Sequence, residues 1–434
     1  MFRRYWLNQV LNSLQTSARQ RRRGATFRPN VEGLEDRKLL SATMSVVDHG
    51  ETLRITGDRG DNHIAITQDA RGVHVVADDV AQTFTGIRNI EVNAGAGNDT
   101  ITADIAFPPA PCRIAVNAGA GDDVVTLRTA IDPNIQSGEL IPAVHGVDFS
   151  ANLGAGNDTF NADLAYPPDP CRIAVDGGAG DDALNVRLGG DTQTVVSGDI
   201  DVMLNGGQGN DVVAVAMNHL TTLGSVDLDL NGGAGDDRLV SAFDKLFVKG
   251  SLNANVNGGQ GNDDLSLIAR SQPRTVIIDG GSEGTPLSPP VNPALITTGQ
   301  VHIRLEGGGG SDQFHGDITP CVLPQTTAGS PQGLIDMVFV GGSGNDLFDI
   351  NVTMENSVKG PELAGSVRVA VLGGQGDDSL TLHVNNLRES GDQLATLLVG
   401  GRGHNTADVT AGINTSGWRS GLSSNHNQTF LLDA

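Results

Sequence analysis

The chain has 434 residues and a net charge of −23, with 58 Gly but only 2 Trp, 2 Tyr and 12 Phe. So much Gly without a Gly-X-Y period excludes collagen, and so few aromatics leave the core to Val, Ile, Leu and Ala. The acidic balance of the main body argues against a phosphate-binding surface and hence against a nucleic-acid partner, and favours solubility and cations.

No apolar run approaches the roughly 18 residues of a membrane-spanning helix, so no transmembrane segment is expected. Three Cys, at 112, 171 and 321, cannot all pair within one chain, and no C-x-x-C suggests zinc or redox chemistry.

Residues 1–42 carry nine Arg or Lys against three acids, a net +6, so the remaining 392 residues carry −29. Leu7, Val10, Leu11 and Leu14 have helical spacing and predict a short amphipathic helix over 5–15, ahead of Arg21, Arg22 and Arg23. Asn8, Gln9 and Asn12 interrupt the apolar stretch that a standard secretory signal requires. The run RPNVEGLEDRKLLSA at 28–42 holds Leu34, Glu35, Arg37, Leu39, Leu40 and Ser41. It resembles the N-terminal signature of planctomycete extracellular proteins. That resemblance implies that 1–42 is a basic export segment and that the protein is extracellular or at the cell surface.

From residue 92 onward one turn recurs. Aligned on G-G-x-G-(N/D)-D, its final residue is Asp99, Asp123, Asp158, Asp182, Asp211, Asp237, Asp263, Asp312, Asp346 and Asp378. Two residues after each Asp stands an apolar residue, from Ile101 and Val125 to Leu380. Two residues before the first slot stands another, from Val92 and Val116 to Val371. Period-two alternation on both sides of a Gly-rich turn predicts strand, turn, strand. Successive Asp are separated by 24, 35, 24, 29, 26, 26, 49, 34 and 32 residues, a spacing of solenoids or arrays. LRITGDRGDNHIAI at 53–66 reads as a degenerate first copy, LLVGGRGHNTADV at 397–409 as a degenerate last one, and VIIDGGSEG at 276–284 as a decayed one inside the longest gap. The stretch 95–123 returns almost unchanged at 154–182, an offset of 59 residues.

Units this short bury their strands only by stacking. The spacing predicts an all-β fold, a right-handed parallel β-helix of roughly a dozen coils over 43–410. Residues 411–434, with Trp418, would be a cap or a disordered tail, and the Pro-rich or polar stretches would be surface loops. Coils stack about 4.8 Å apart, so Cys112 and Cys171, two coils apart, would be separated by about 9.6 Å. A disulfide requires about 7 Å or less between Cα atoms, so these two are predicted not to pair. Asn93, Asn117, Asn152, Asn205, Asn231 and Asn257 would stack as a structural amide ladder.

Ten carboxylates in file at this spacing repel by about 1 kcal/mol per pair in water and by about 3–4 kcal/mol at an effective dielectric of 20. Carboxylates beside exposed Gly carbonyls are hard oxygen ligands of the kind Ca²⁺ takes. GGQGNDVVA at 206–214 and GGAGDDRLV at 232–240 match G-G-x-G-x-D-x-U-x at every fixed position. The units thus resemble the hemolysin-type (RTX) calcium-binding repeat. The resemblance implies Ca²⁺ between stacked turns, with the ten Asp of the column as carboxylate ligands. Here, however, one turn occurs per 24 or more residues, so only one edge could bind. Ala94, Ala118 and Leu153 replace the first Gly in three early units, and the last unit has His404 and Asn405 in place of acids. The run Asp99 to Asp263 is where sites are expected. A purely structural, metal-free turn remains the other reading.

The ten His form no recurring constellation, and Asp104 and Asp163 each follow an inward Ala and read as solvated. The chain is therefore read as no enzyme, but as a calcium-binding scaffold with a structural or adhesive role. Cell-surface polysaccharide or protein would be its partner. The alternative is a β-helix polysaccharide lyase or hydrolase with its site on the loop-bearing face.

Overall fold

The computed structural model describes residues 42–69, 71–106, 112–129, 145–269, 295–322, 333–353, 366–387, 393–413 and 429–433. The expected helix over 5–15, the export segment, the decayed copy at 276–284, Trp418 and most of the Pro-rich connections lie outside these residues.

Strands account for nearly all of the described chain. Ser225–Ala234 shows why: Val226, Leu228 and Leu230 turn inward and are buried, while Asp227 and Asp229 turn out. The β-branched and Leu residues of every unit repeat this pattern. Each unit makes one rung of a parallel β-solenoid. The strands that enter the turns lie side by side in one 14-stranded sheet, and those that leave them in another. Leu204 pairs with Leu230, and Leu230 with Val256, so equivalent residues stack in columns. A third sheet of five short strands, 194–196, 220–222, 246–248, 295–297 and 320–322, closes the back of the middle rungs.

Among the described residues antiparallel pairing is confined to the ends. Thr43–Val47 lies on Thr52–Thr56, and Thr429–Asp433 on Gln393–Arg402. Gly72–Ala77 and Val80–Phe84 form a hairpin beyond the first strand of the second sheet. With its first and last strands antiparallel, the entering sheet leaves twelve parallel rungs. No helix among the described residues is long and apolar enough to cross a membrane.

The longest gap in the repeat does not interrupt the two long sheets. Ser251–Gln260 pairs directly with Gln300–Gly309, and Asp264–Ala269 with Gln313–Ile318. The rungs of Asp263 and Asp312 are thus immediate neighbours in both sheets.

The core is a set of inward columns. Cys112, Val147 and Cys171 are consecutive in one of them, so a valine separates the thiols. Both are buried and free, as the spacing predicts, and burial pushes each thiol up to about 12. Phe314 and Phe348 stack with ring centroids 4.4 Å apart.

Candidate metal centre

The turn is built by its glycines. In the turn 206–211, Gly207 and Gly209 have φ of 117° and 125°, where an L side chain is strained. A Cβ on Gly209 would stand 2.0 Å from the carbonyl oxygen of Gly180 on the rung below. Only glycine lets successive corners nest this closely.

The last residue of each turn points inward. All ten predicted Asp fall into one file, and each is at most 2% exposed. The backbone N–H of each donates to Oδ1 of the next. Asp99 donates to Asp123 at 2.7 Å, Asp182 to Asp211 at 2.8 Å and Asp346 to Asp378 at 3.0 Å. The file extends one residue further at both ends. Asn62 donates to Asp99 at 2.7 Å, and Asp378 donates to Asn405 Oδ1 at 2.8 Å. An amide oxygen thus makes the same bond as the carboxylates. Asn62 was not singled out by the repeat pattern, although GDRGDN at 57–62 ends in the equivalent slot.

The second carboxylate oxygen is different. Oδ2 of all ten Asp is buried and has no hydrogen-bond partner. Desolvation accordingly raises these carboxyls, to about 7 at Asp182 and Asp237 and to about 6 at Asp123, Asp263, Asp312 and Asp346. Asp99, Asp158, Asp211 and Asp378 are raised for the same reason. Repulsion from neighbouring acids adds to burial at each.

The residue before each inner Asp forms a second, exposed file that the sequence reading missed. Here the bonds run the other way, from the N–H of each rung to the side chain of the rung before. Asp122 donates to Asn98 at 3.0 Å, Asn157 to Asp122 at 2.8 Å and Asp181 to Asn157 at 2.9 Å. The file alternates strictly over eight rungs: Asp61, Asn98, Asp122, Asn157, Asp181, Asn210, Asp236, Asn262. Alternation keeps charges two rungs apart, which is about one Debye length at 0.1 M salt. The signal was present as the N/D choice in the fifth slot of each turn.

The inner carboxylates lie in file. Among the described residues no three His, Cys, Asp or Glu side chains are grouped to hold a metal. Any ion here would take one or two carboxylates and complete its shell with backbone carbonyl and water oxygen. Ten buried, unpartnered carboxylate oxygens beside Gly-rich backbone nevertheless fit a hard cation such as Ca²⁺. No family model matches the chain, and neither a curated protein nor a solved structure does.

Elsewhere the outer face is polar and shallow. The expected amide ladder forms in two runs: Asn117 donates to Asn93 at 3.2 Å, and beyond Asn152 a second run starts at Asp176, with Asn205 donating to Asp176 at 2.7 Å, Asn231 to Asn205 at 2.6 Å and Asn257 to Asn231 at 3.0 Å. Asp104 and Asp163 are on the outer face, as expected, and Asp163 is half-exposed. They alternate with Arg128 and Arg187 on successive rungs, and Arg187 binds Asp163 through two nitrogens at 2.9 and 3.1 Å. A trough on the entering sheet is lined by Asp201, Asp227, Asp229, His302, Arg304 and Asp336, with Met203 and no Phe, Tyr or Trp on its walls.

Proposed function

We propose that this is an exported, calcium-binding β-solenoid with a structural or adhesive role at the cell surface. One observation carries the calcium reading: ten buried carboxylates in file, each with an unpartnered oxygen. Burying a charge without a partner is costly, so protons or cations must neutralise the file. At neutral pH a divalent ion does so while tying adjacent rungs together. The likeness of 206–214 and 232–240 to the hemolysin-type repeat supports calcium in particular. The resemblance of 28–42 to a planctomycete extracellular signature supports export. The long, polar faces and the absence of Phe, Tyr and Trp from the trough favour a scaffold over a polysaccharide-cleaving enzyme.

A metal-free structural solenoid is the second reading. Asn62 and Asn405 favour it, because they occupy the same file and carry no charge. Calorimetric titration of the full chain with Ca²⁺, together with thermal melting with and without chelator, separates the two. Uptake of several ions with a higher melting temperature supports the calcium reading. A folded protein that takes up none at millimolar Ca²⁺ rules it out.

A further inference from the structure

The ten inner carboxylates are not equivalent, and the difference lies at the first residue of each turn. In seven turns it is glycine: Gly177, Gly206, Gly232, Gly258, Gly307, Gly341 and Gly373. A Cβ placed on any of these would stand 2.1–2.5 Å from Oδ2 of that turn's own Asp. At Gly177, Gly206, Gly232, Gly341 and Gly373 it would also stand 2.3–2.6 Å from the carbonyl oxygen of the equivalent glycine one rung on. The orphaned carboxylate oxygen and a backbone carbonyl therefore converge over the bare Cα. That oxygen pair is the start of a hard-cation shell.

In the other three turns the first residue is Ala94, Ala118 or Leu153, each fully buried. A real Cβ occupies the volume in which the two oxygens otherwise meet. The ladder itself is undisturbed: Oδ1 of Asp99, Asp123 and Asp158 each accepts its hydrogen bond at 2.7 Å. Oδ2 of these three Asp is buried and unpartnered as in the other seven, but it stands beside an aliphatic side chain instead of a bare Cα.

We propose that calcium is held only beside the seven glycine-headed turns, through Asp182, Asp211, Asp237, Asp263, Asp312, Asp346 and Asp378, and that Asp99, Asp123 and Asp158 are metal-free members of the ladder. The inference rests on the calcium reading above and divides its ten candidate ligands in two. The rungs of Asp99 to Asp158 then form a calcium-independent base. The rungs from Asp182 onward are the part whose order depends on the ion. This shifts the binding region toward the C-terminus from the run expected on sequence grounds.

The test is an ion count by native mass spectrometry on the full chain at saturating Ca²⁺, with calorimetry on the same samples and circular dichroism to establish folding. The expected count is seven. Asp237→Asn lowers it to six, Asp123→Asn leaves it at seven, and Ala118→Gly, which opens the volume beside Asp123, raises it to eight. Ala118→Gly is a gain-of-site variant, so a folding defect cannot mimic its expected result. Any other non-zero count for the unmodified chain, or loss of an ion in Asp123→Asn, overturns the division and leaves the calcium reading standing. No uptake at all overturns both.

Discussion

The two oxygens of each inner carboxylate have separate physical roles. Oδ1 satisfies the buried backbone N–H of the neighbouring rung, and Oδ2 is left with a charge to share. Substitution should therefore depend on what replaces the oxygen. Asp237→Ala strands the N–H of Asp211, which now donates at 2.8 Å, and should cost about 1–3 kcal/mol. Asp237→Asn keeps the acceptor, as at Asn405, and should cost little in chelator while losing calcium-dependent stabilisation. Urea unfolding of both variants, with and without Ca²⁺, checks the pair; equal destabilisation in chelator would show that Oδ1 carries no structural weight. The glycines are equally unforgiving. Gly235 has a φ of 139° and a Cα under which the carbonyl oxygen of Gly209 would meet a Cβ at 1.9 Å. Gly235→Ala should destabilise by more than the roughly 1 kcal/mol typical of unstrained Gly/Ala exchanges, because backbone must move. A melting temperature within a degree of the parent would contradict this.

At the scale of the turn edge, the raised carboxyls set a pH dependence with a definite sign. Their folded values, about 6 to 7 where largest, lie above the unfolded value of 3.8, so the folded chain binds protons more tightly. In chelator their stabilising contribution is complete below the unfolded value of 3.8, falls as pH rises above it, and is lost once pH passes the folded values of about 6 to 7. On the calcium reading proposed above the ion competes with those protons, so the slope should flatten or reverse when Ca²⁺ is present. Each occupied site adds about 2.7 kcal/mol at a hundredfold excess over its dissociation constant. Thermal melts at pH 4.5, 6 and 8 with chelator and with Ca²⁺ would show it; a chelated protein that is most stable at pH 8 would refute it. Much of this edge was legible in the chain. Val92 to Val371 and Ile101 to Leu380 gave the alternation, and the recurrent Asp gave the file, because stacking converts sequence period into spatial column. Direction was not legible. Nothing in G-G-x-G-(N/D)-D tells which oxygen bonds which rung. The alternation of Asp122, Asn157 and Asp181 gains meaning only once the second file is seen.

For the whole molecule, repeat architecture makes stability a sum over neighbouring rungs. The ends differ. At the start, the hairpin 72–84 covers the first rung, and His63 donates to Asp78 of that hairpin. At the end, Ala407 and Val409 are only partly buried against the core. Hydrogen exchange should therefore be slowest in the middle rungs and fastest over 406–413, read by mass spectrometry on the intact chain. Uniform protection would mean that the array unfolds as one unit. The 59-residue duplication fits the same logic, since inserting whole rungs leaves every column in register.

The two turn-edge files run in opposite senses, with inner N–H groups pointing along the chain's progression and outer ones against it. Each row alone would be a line of aligned dipoles, with a positive and a negative pole at its ends. Side by side the two rows oppose one another, so adding whole rungs lengthens both together and builds up no single line of dipoles along the edge.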